Sequence, residues 1–489
     1  MKHFKAIFGG LWLLAGCGSP GAPVLLNDIH SRLNETLVAS YHEPSSKVEI
    51  VGLVQSAARD GLSISISGGK HSMGGQQFGE GTLHINMSRY ASVIGLDQET
   101  GWVTVESGIQ WPKLIGWLIE TQKGQDAPWA IRQKQTGADN LSLGGAVSSN
   151  IHGRGLTMPP FVGDVESLEI VNAEGELITC SRAQNSELFS LVVGGYGLFG
   201  VITEVTLRLS PRIKLERKVE IIDVADVPTR VQERIADGYL FGDYQFKTDE
   251  SSPDFLRKGI FSFYKPTDAA PPVEIEPKRM RPEDWQSLYK LAHFDKAAAF
   301  ETYSNYYLST DGQIYWSDTH QISYYVEGVD ALIDDAAGVR APGSLMICEF
   351  YVPGPRLPEF LEAMAHVVRR EKANLIYGTV RFIESDTDSF LAWAKQPYTC
   401  IVVNLRVTHD EQGIQAAKQH FRSIIDAALA LDGSYFLTYH RWARKDQVLK
   451  AYPEFPEFLR RKLKFDPSER FQSDWYRHYR EMFAEEIAE

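Results

Sequence analysis

The chain has 489 residues, a length that accommodates about two to three domains. Its content of 43% hydrophobic and 23% charged residues is that of an ordinary globular protein, which excludes a low-complexity or disordered chain. With 63 acidic against 50 basic residues the formal charge is −13, and no Lys/Arg-rich run interrupts that balance, so nucleic acid is excluded as a partner.

The N-terminus differs from the rest. Lys2 and Lys5 precede an apolar run from Ala6 to Gly16, too short to span a bilayer as a helix and of the kind that forms a secretory signal. The run ends in Leu14-Ala15-Gly16-Cys17, which resembles the bacterial lipobox. That resemblance implies a signal peptide over 1–17, lipid on the Cys17 thiol, and export to the bacterial cell envelope with anchorage to its membrane. Gly18-Ser19-Pro20-Gly21 opens a tether and N-terminal segment over 18–41. The other cysteines, Cys180, Cys348 and Cys400, lie in apolar strand-like runs without metal or redox spacing, so buried thiols and no metal site are expected.

A helical pattern over Val48–Asp60 leads into the strand Ser63–Ser67 and the Gly-rich turn Gly68–Gly75. Period-two alternation returns at Leu83–Met87 and Trp102–Glu106. A second Gly-rich stretch covers Gly137–Gly155. Strands follow at Val165–Asn172, Glu176–Cys180 and Val201–Leu209, with a tight turn at Ala173–Glu176. Beyond Pro211, strands are expected at Gly259–Tyr264, Gln321–Val326, Leu345–Val352, Leu375–Ile383 and Thr399–Val407. Amphipathic helices are expected at Glu359–Arg370 and Gln412–Leu431, and a last strand at Ser434–Trp442.

Gly195-Tyr196-Gly197-Leu198-Phe199-Gly200 matches the dinucleotide fingerprint in letters. Its context rejects it, because Val201–Leu207 is β-branched and alternating where a fingerprint opens a helix. The turn Gly68–Gly75 is more telling. Consecutive glycines after a strand can aim several backbone N–H groups at one anion, such as a pyrophosphate. The small and hydroxylated residues of Leu141–Gly153 suit close packing along a flat ring and a phosphate chain.

Together, Gly68-Gly69-Lys70-His71-Ser72, Gly144-Gly145 through Ile151-His152-Gly153, and Gly200-Val201-Ile202-Thr203-Glu204-Val205 resemble the FAD-binding domain of the vanillyl-alcohol oxidase/p-cresol methylhydroxylase flavoproteins. Ile151-His152-Gly153-Arg154 is similar to the sugar-type members: the aldonolactone and alditol oxidases and decaprenylphosphoryl-ribose oxidase. Tyr452-Pro453, Asp466-Pro467 and Phe471-Gln472-Ser473-Asp474 resemble the closing segment of that group. The resemblance implies an α+β chain. A two-subdomain PCMH-type FAD-binding domain occupies 42–212, a substrate domain with a mainly antiparallel sheet covered by helices occupies 213–430, and 431–489 completes the active site.

By position, the resemblance implies that Gly68, Gly69, Lys70, His71 and Ser72 hold the pyrophosphate, with His71 also where many relatives join flavin covalently. Gln135, Thr136, Gly144, Gly145, Ser148, Asn150, His152 and Gly153 would lie along the ribityl chain and isoalloxazine. Gly200, Val201 and Ile202 would meet the adenine side. His71 as an ordinary loop histidine stays open.

Alcohol oxidation by flavin needs a group to take the hydroxyl proton and positive charge near the flavin. Period two puts Tyr377, Thr379 and Arg381 on one strand face; Val402, Asn404 and Arg406 on another; and Glu349 with Ile347 and Tyr351. Relatives supply a cation in the strand before the closing segment. His440, Arg441 and Arg444 compete for that role here, with His440 preferred, and Lys445 stands behind them. The expected catalytic set is therefore His440, Arg441, Arg381 and Glu349.

The reading is an FAD-dependent oxidoreductase acting on a CH–OH group of a sugar-like, lactone or polyol small molecule. Its electrons pass to oxygen or to an envelope acceptor. Ile151, where oxygen-using relatives often carry a smaller residue, favours the latter. A carbon–carbon double-bond reductase and a non-catalytic binding lipoprotein are the rival readings.

Overall fold

A computed structural model describes residues 22–268, 278–323, 328–339 and 341–488. Cys17, its signal sequence and the second half of the expected strand Gln321–Val326 lie outside them.

The first half carries two main sheets, besides the two-stranded pairs Val24–Leu26 with Thr36–Val38 and Trp129–Ala130 with Ser210–Pro211. Ser40–His42, Leu83–Asn86 and Ile64–Ser67 form a parallel three-stranded sheet with Leu83–Asn86 in the centre. The helix Lys47–Asp60 covers it. Ser46 caps the helix start by accepting from Glu49 N–H, and Gly61 closes it in the left-handed region. Ile50, Val54 and Ala57, spaced at one helical turn, are buried with Ile64 and Ile85. Full burial of such an aliphatic side chain is worth about 1.5–3 kcal/mol. The second sheet is antiparallel, in the order Leu177–Ser181, Val165–Val171, Val201–Arg208, Trp102–Glu106, Val93–Asp97. Val201–Arg208 follows Gly200 directly as a strand, so the fingerprint-like run opens no helix.

The second half builds one eight-stranded antiparallel sheet, in the order Ile314–Trp316, Lys214–Asp223, Lys258–Pro266, Phe241–Phe246, Leu375–Ile383, Tyr398–Thr408, Gly343–Val352, Ser434–Tyr435. The helices Leu357–Glu371 and Glu411–Leu429 cover one face, burying Phe360, Met364, Phe421 and Ile425 against the strands. The opposite face looks toward the first half. This is the α+β arrangement with a helix-covered antiparallel sheet that the sequence implies.

Two expected strands are corrected. Ser434–Trp442 is a strand only at Ser434–Tyr435, after which the backbone turns away through Phe436–Arg444. In Gln321–Val326 the described part is the end of a 3-10 turn, Thr319–Gln321, followed by two residues without regular structure. The C-terminal segment then returns to the first half: Gln472 N–H donates to Ile64 O at 2.8 Å and Asp474 N–H to Phe78 O at 2.7 Å. Cys180, Cys348 and Cys400 are buried free thiols. Among the described residues no helix is long and apolar enough to cross a membrane.

Candidate active site

Between the halves runs a cavity of about 300 Å³ whose walls are the two Gly-rich segments. Gly68, Gly69, Lys70, His71 and Ser72 form one side, directly after the strand Ile64–Ser67. Gln135, Thr136, Gly144, Gly145 and Ser148 form the other; the last three lie on the short helix Leu143–Ser149, capped by the Ser142 side chain. Gly200, Ile202 and His152 complete the lining.

The walls require glycine. A Cβ on Gly68 would fall 1.9 Å from Ser142 Oγ, so the two segments approach as closely as they do only with hydrogen at that position. Gly200 has φ +144°, and a Cβ there would meet Val171 O at 2.7 Å.

Several buried polar atoms on the lining have no hydrogen-bond partner: Gln76 Oε1, Ser107 Oγ, Thr136 Oγ1, Thr379 Oγ1 and Arg381 Nε. Native proteins rarely leave such groups unpaired, so the trough is built for a ligand with polar atoms along its length. A flavin dinucleotide, with its ribityl hydroxyls and pyrophosphate, fits that requirement. His71 Nδ1 lies 2.8 Å from His30 Nε2, and His71 Nε2 3.0 Å from Asn140 O. Burial, reinforced by His30, lowers His71 to about 3 and keeps the imidazole neutral at physiological pH.

Three expected cofactor residues do not line the trough. Asn150 instead ties the fold together: its amide donates to Asp386 at 2.8 Å and its Oδ1 accepts from Val162 N–H at 2.9 Å. Gly153 packs on Gln133, to whose Oε1 its N–H donates at 3.2 Å. Val201 points into the apolar core beside Val171 and Phe471. Asn150 and Gly153 thus face away from the trough, whereas the contact expected of Val201 is through its backbone.

At one end the trough meets a second cavity of about 420 Å³, and Thr136, Tyr377, Arg381 and Asn404 are among the residues that line both. Tyr377, Thr379 and Arg381, alternate residues of one strand, all face this region, as do Val402 and Asn404 of the neighbouring strand. Arg406 does not join them; it pairs with Asp330 at 2.5 Å and with Asp334.

Glu349 is the centre of a buried polar cluster. Its carboxylate accepts from Tyr439 Oη at 2.5 Å and Tyr351 Oη at 3.1 Å, and lies 3.0 Å from His152 Nε2. Burial alone would raise its pKa; the charge and hydrogen bond of His152, with the hydrogen bond of Tyr439, outweigh burial and hold it at about 2. His152 Nδ1 faces Gly153 O at 3.2 Å, so both ring nitrogens look at acceptors. Cys400 Sγ lies 3.4 Å from His152 Nε2. These three side chains are close enough to share a metal ion. Burial, however, keeps the Cys400 thiol protonated, and the two tyrosine hydroxyls already satisfy Glu349.

His440 and Arg441 are corrected as catalytic candidates. Neither lines either cavity. His440 stacks on Trp442 at 4.3 Å, and burial lowers it to about 4, so it is neutral and supplies no cation. Arg441 donates to Gly74 O at 3.0 Å, supporting the first Gly-rich turn from behind. Arg444 and Lys445 pair with Asp426 and Glu486 away from the trough. The residues of this stretch that reach the site are Phe436, Thr438 and Tyr439, because the chain has left the strand that period two assumed. Sequence reasoning also missed His30, Gln76 and Ser107, isolated polar residues without a motif of their own.

Residues 38–181 match the family model described as FAD binding domain. The chain is 32% identical over 167 residues to "Uncharacterized oxidoreductase ORF5 in fasciation locus" of Rhodococcoides fascians, covering 34% of this chain and 36% of that protein. It is 28% identical over 245 residues to "Cytokinin dehydrogenase 2" of Arabidopsis thaliana, covering 47% and 45%. Both matches thus span less than half of the relative's length. Over 441 residues, 89% of this chain and 94% of the relative, it is 22% identical to "L-gulono-1,4-lactone dehydrogenase" of Mycobacterium tuberculosis. With the two-segment glycine trough and these matches, the first half holds an FAD-binding domain of the p-cresol methylhydroxylase type, and the cofactor is FAD.

Proposed function

We propose that the protein oxidises a CH–OH group of a sugar-like, lactone or polyol substrate. The observation that carries this is the meeting of Arg381 and the Glu349 cluster with the junction of the two cavities. The lactone dehydrogenase match supports it, because it extends over nearly the whole chain, the eight-stranded sheet included, whereas the cytokinin dehydrogenase match covers less than half.

Bound FAD supplies a hydride acceptor. The chain's own residues do the rest. Arg381, with an unpaired Nε, holds the substrate oxygen and offers positive charge where negative charge builds. Tyr439, hydrogen-bonded to Glu349, is set to relay the hydroxyl proton toward the carboxylate, with His152 fixing that carboxylate's other oxygen.

Gly68 to Ser72 would hold the pyrophosphate, with His71 available for a covalent bond to the flavin. Ile151, buried on the lining, would hinder oxygen, so an envelope acceptor is the preferred oxidant. Export and a lipid on Cys17 complete the proposal; Cys17→Ser should move the protein out of the membrane fraction, and its retention there would refute the anchor. The test of the activity is anaerobic mixing with L-gulono-1,4-lactone and simple alditols. Loss of the oxidised flavin's visible absorbance supports the reading, and an unchanged spectrum with every one of them contradicts it.

A further inference from the structure

The second cavity has an electrostatic character opposite to the chain. In a protein of net charge −13, its walls carry Arg154, Arg217, Lys278, Arg279 and Arg381 against one carboxylate, Asp243. That carboxylate is already committed. Its Oδ2 accepts from Gln245 Nε2, and its Oδ1 lies 3.6 Å from an Arg154 guanidinium nitrogen.

Arg217 is the conspicuous residue. It is 5% exposed, and its Nε has no hydrogen-bond partner. One guanidinium nitrogen donates to Ser262 Oγ at 3.0 Å, and the group lies 4.2 Å over the Tyr307 ring. No carboxylate pairs with it among the described residues. Burying a guanidinium without a counter-anion is costly, and neutral hydroxyls with the Tyr307 and Tyr264 rings offset only part of that cost. Arg154 has the Asp243 carboxylate beside it and donates to His320 O at 2.7 Å, yet it too keeps a buried, unpartnered Nε. His320 beside it is held neutral by burial and by the Arg154 charge, so the cavity's positive charge comes from its arginines and Lys278. Tyr303, Tyr306, Tyr307 and Tyr315 complete a wall of rings and hydroxyls.

Position matters as much as charge. Arg154 and Arg217 line the second cavity alone, whereas Arg381 lines both. We infer that the second cavity selects a substrate bearing an anionic oxo-acid group, carboxylate or phosphate, with Arg217 and Arg154 receiving that group and the reacting carbon at the Arg381 end. The inference deepens the CH–OH reading and rests on it for the location of the reacting carbon. A planar fork of N–H donors is the side chain suited to such oxyanions, and the tyrosine hydroxyls suit a polyhydroxylated chain between the two ends.

The test uses three compounds on one carbon skeleton: D-glucitol, D-gluconate and D-glucitol 6-phosphate. Each is titrated anaerobically into the FAD-loaded protein. Perturbation of the flavin absorbance reports binding, and its bleaching reports oxidation. At least one anion is expected to bind about tenfold or more tighter than D-glucitol, and which one does so separates carboxylate from phosphate. Arg217→Gln should erase that preference while FAD content and D-glucitol binding stay unchanged. Arg217→Lys, which keeps the charge and guards against a folding defect, should retain part of it. Equal binding of all three by the wild type overturns the inference, as does an undiminished preference in flavin-replete Arg217→Gln. Anion binding without bleaching supports the anion site and counts against the CH–OH reading. Bleaching by all three with equal affinity does the reverse.

Discussion

The Tyr439 hydroxyl donates a 2.5 Å hydrogen bond to Glu349 Oε1, joining the loop after the last strand of the large sheet to the strand Gly343–Val352 beside it. This bond carries a residue of the C-terminal segment to the junction of the two cavities. If it relays the substrate proton, Tyr439→Phe and Glu349→Gln should each slow flavin reduction by about 100-fold, with FAD content unchanged. Rapid-mixing measurement of flavin bleaching decides it; wild-type rates in both variants would remove the cluster from the chemistry.

The same carboxylate makes stability depend on acid. The folded pKa of Glu349 is about 2, below the ordinary glutamate value of about 4.3. Its stabilising contribution is therefore present in full above the unfolded value and is lost as pH falls through the folded one. Chemical denaturation followed down the acid range should show a shallower loss of stability for Glu349→Gln than for the wild type below about pH 4. Parallel curves would mean that His152 and Tyr439 do not hold the carboxylate ionised.

His440 and Arg381 separate two sources of positive charge. His440 is neutral and stacked on Trp442, so His440→Ala should reduce flavin at the wild-type rate, at the cost of some stability. Arg381→Ala should slow reduction by about 100-fold or more. A slow His440→Ala with normal FAD content would restore the role its position in the sequence implies.

These two residues also mark how far the sequence could be read. Alternation identified Tyr377, Thr379 and Arg381 as one face because Leu375–Ile383 is a full strand, and it grouped Glu349 with Ile347 for the same reason. It failed at His440 because the strand ends at Tyr435, with Phe436 N–H the next donor to the sheet, and period two has no meaning in the loop beyond. The Gly-rich segments were legible because close approach demands glycine whatever the surroundings. Asn150 and Gly153 lie off the trough because a motif fixes the backbone path and not which side of it meets the ligand. The arginine-lined chamber was illegible, since Arg154, Arg217 and Asp243 come from distant strands and loops.

Gly68→Ala tests the trough itself. The added methyl would collide with Ser142 Oγ, so the purified variant should lack FAD and take up added cofactor at least about tenfold more weakly. Full FAD content would show that the two segments can separate without loss of the site.

Lys462 and Asp466 form a fully buried ion pair next to the closing segment, and Asp466 also accepts from Arg470 N–H at 2.8 Å and Phe471 N–H at 2.9 Å. Asp466→Asn strands the ammonium and should destabilise the protein by about 3–5 kcal/mol, read from denaturant unfolding. A loss below about 1 kcal/mol would mean water reaches the pair.

The central claim is that a carbinol carbon gives its hydride to FAD at the Arg381 end of the trough. Single-turnover bleaching of the flavin by an oxidisable polyol, lactone or sugar acid, with hydrogen or deuterium on the reacting carbon, measures that step directly. The expected result is bleaching that deuterium slows several-fold and that Arg381→Ala nearly abolishes. Bleaching at the same rate with either isotope, or none with any CH–OH compound, would contradict it.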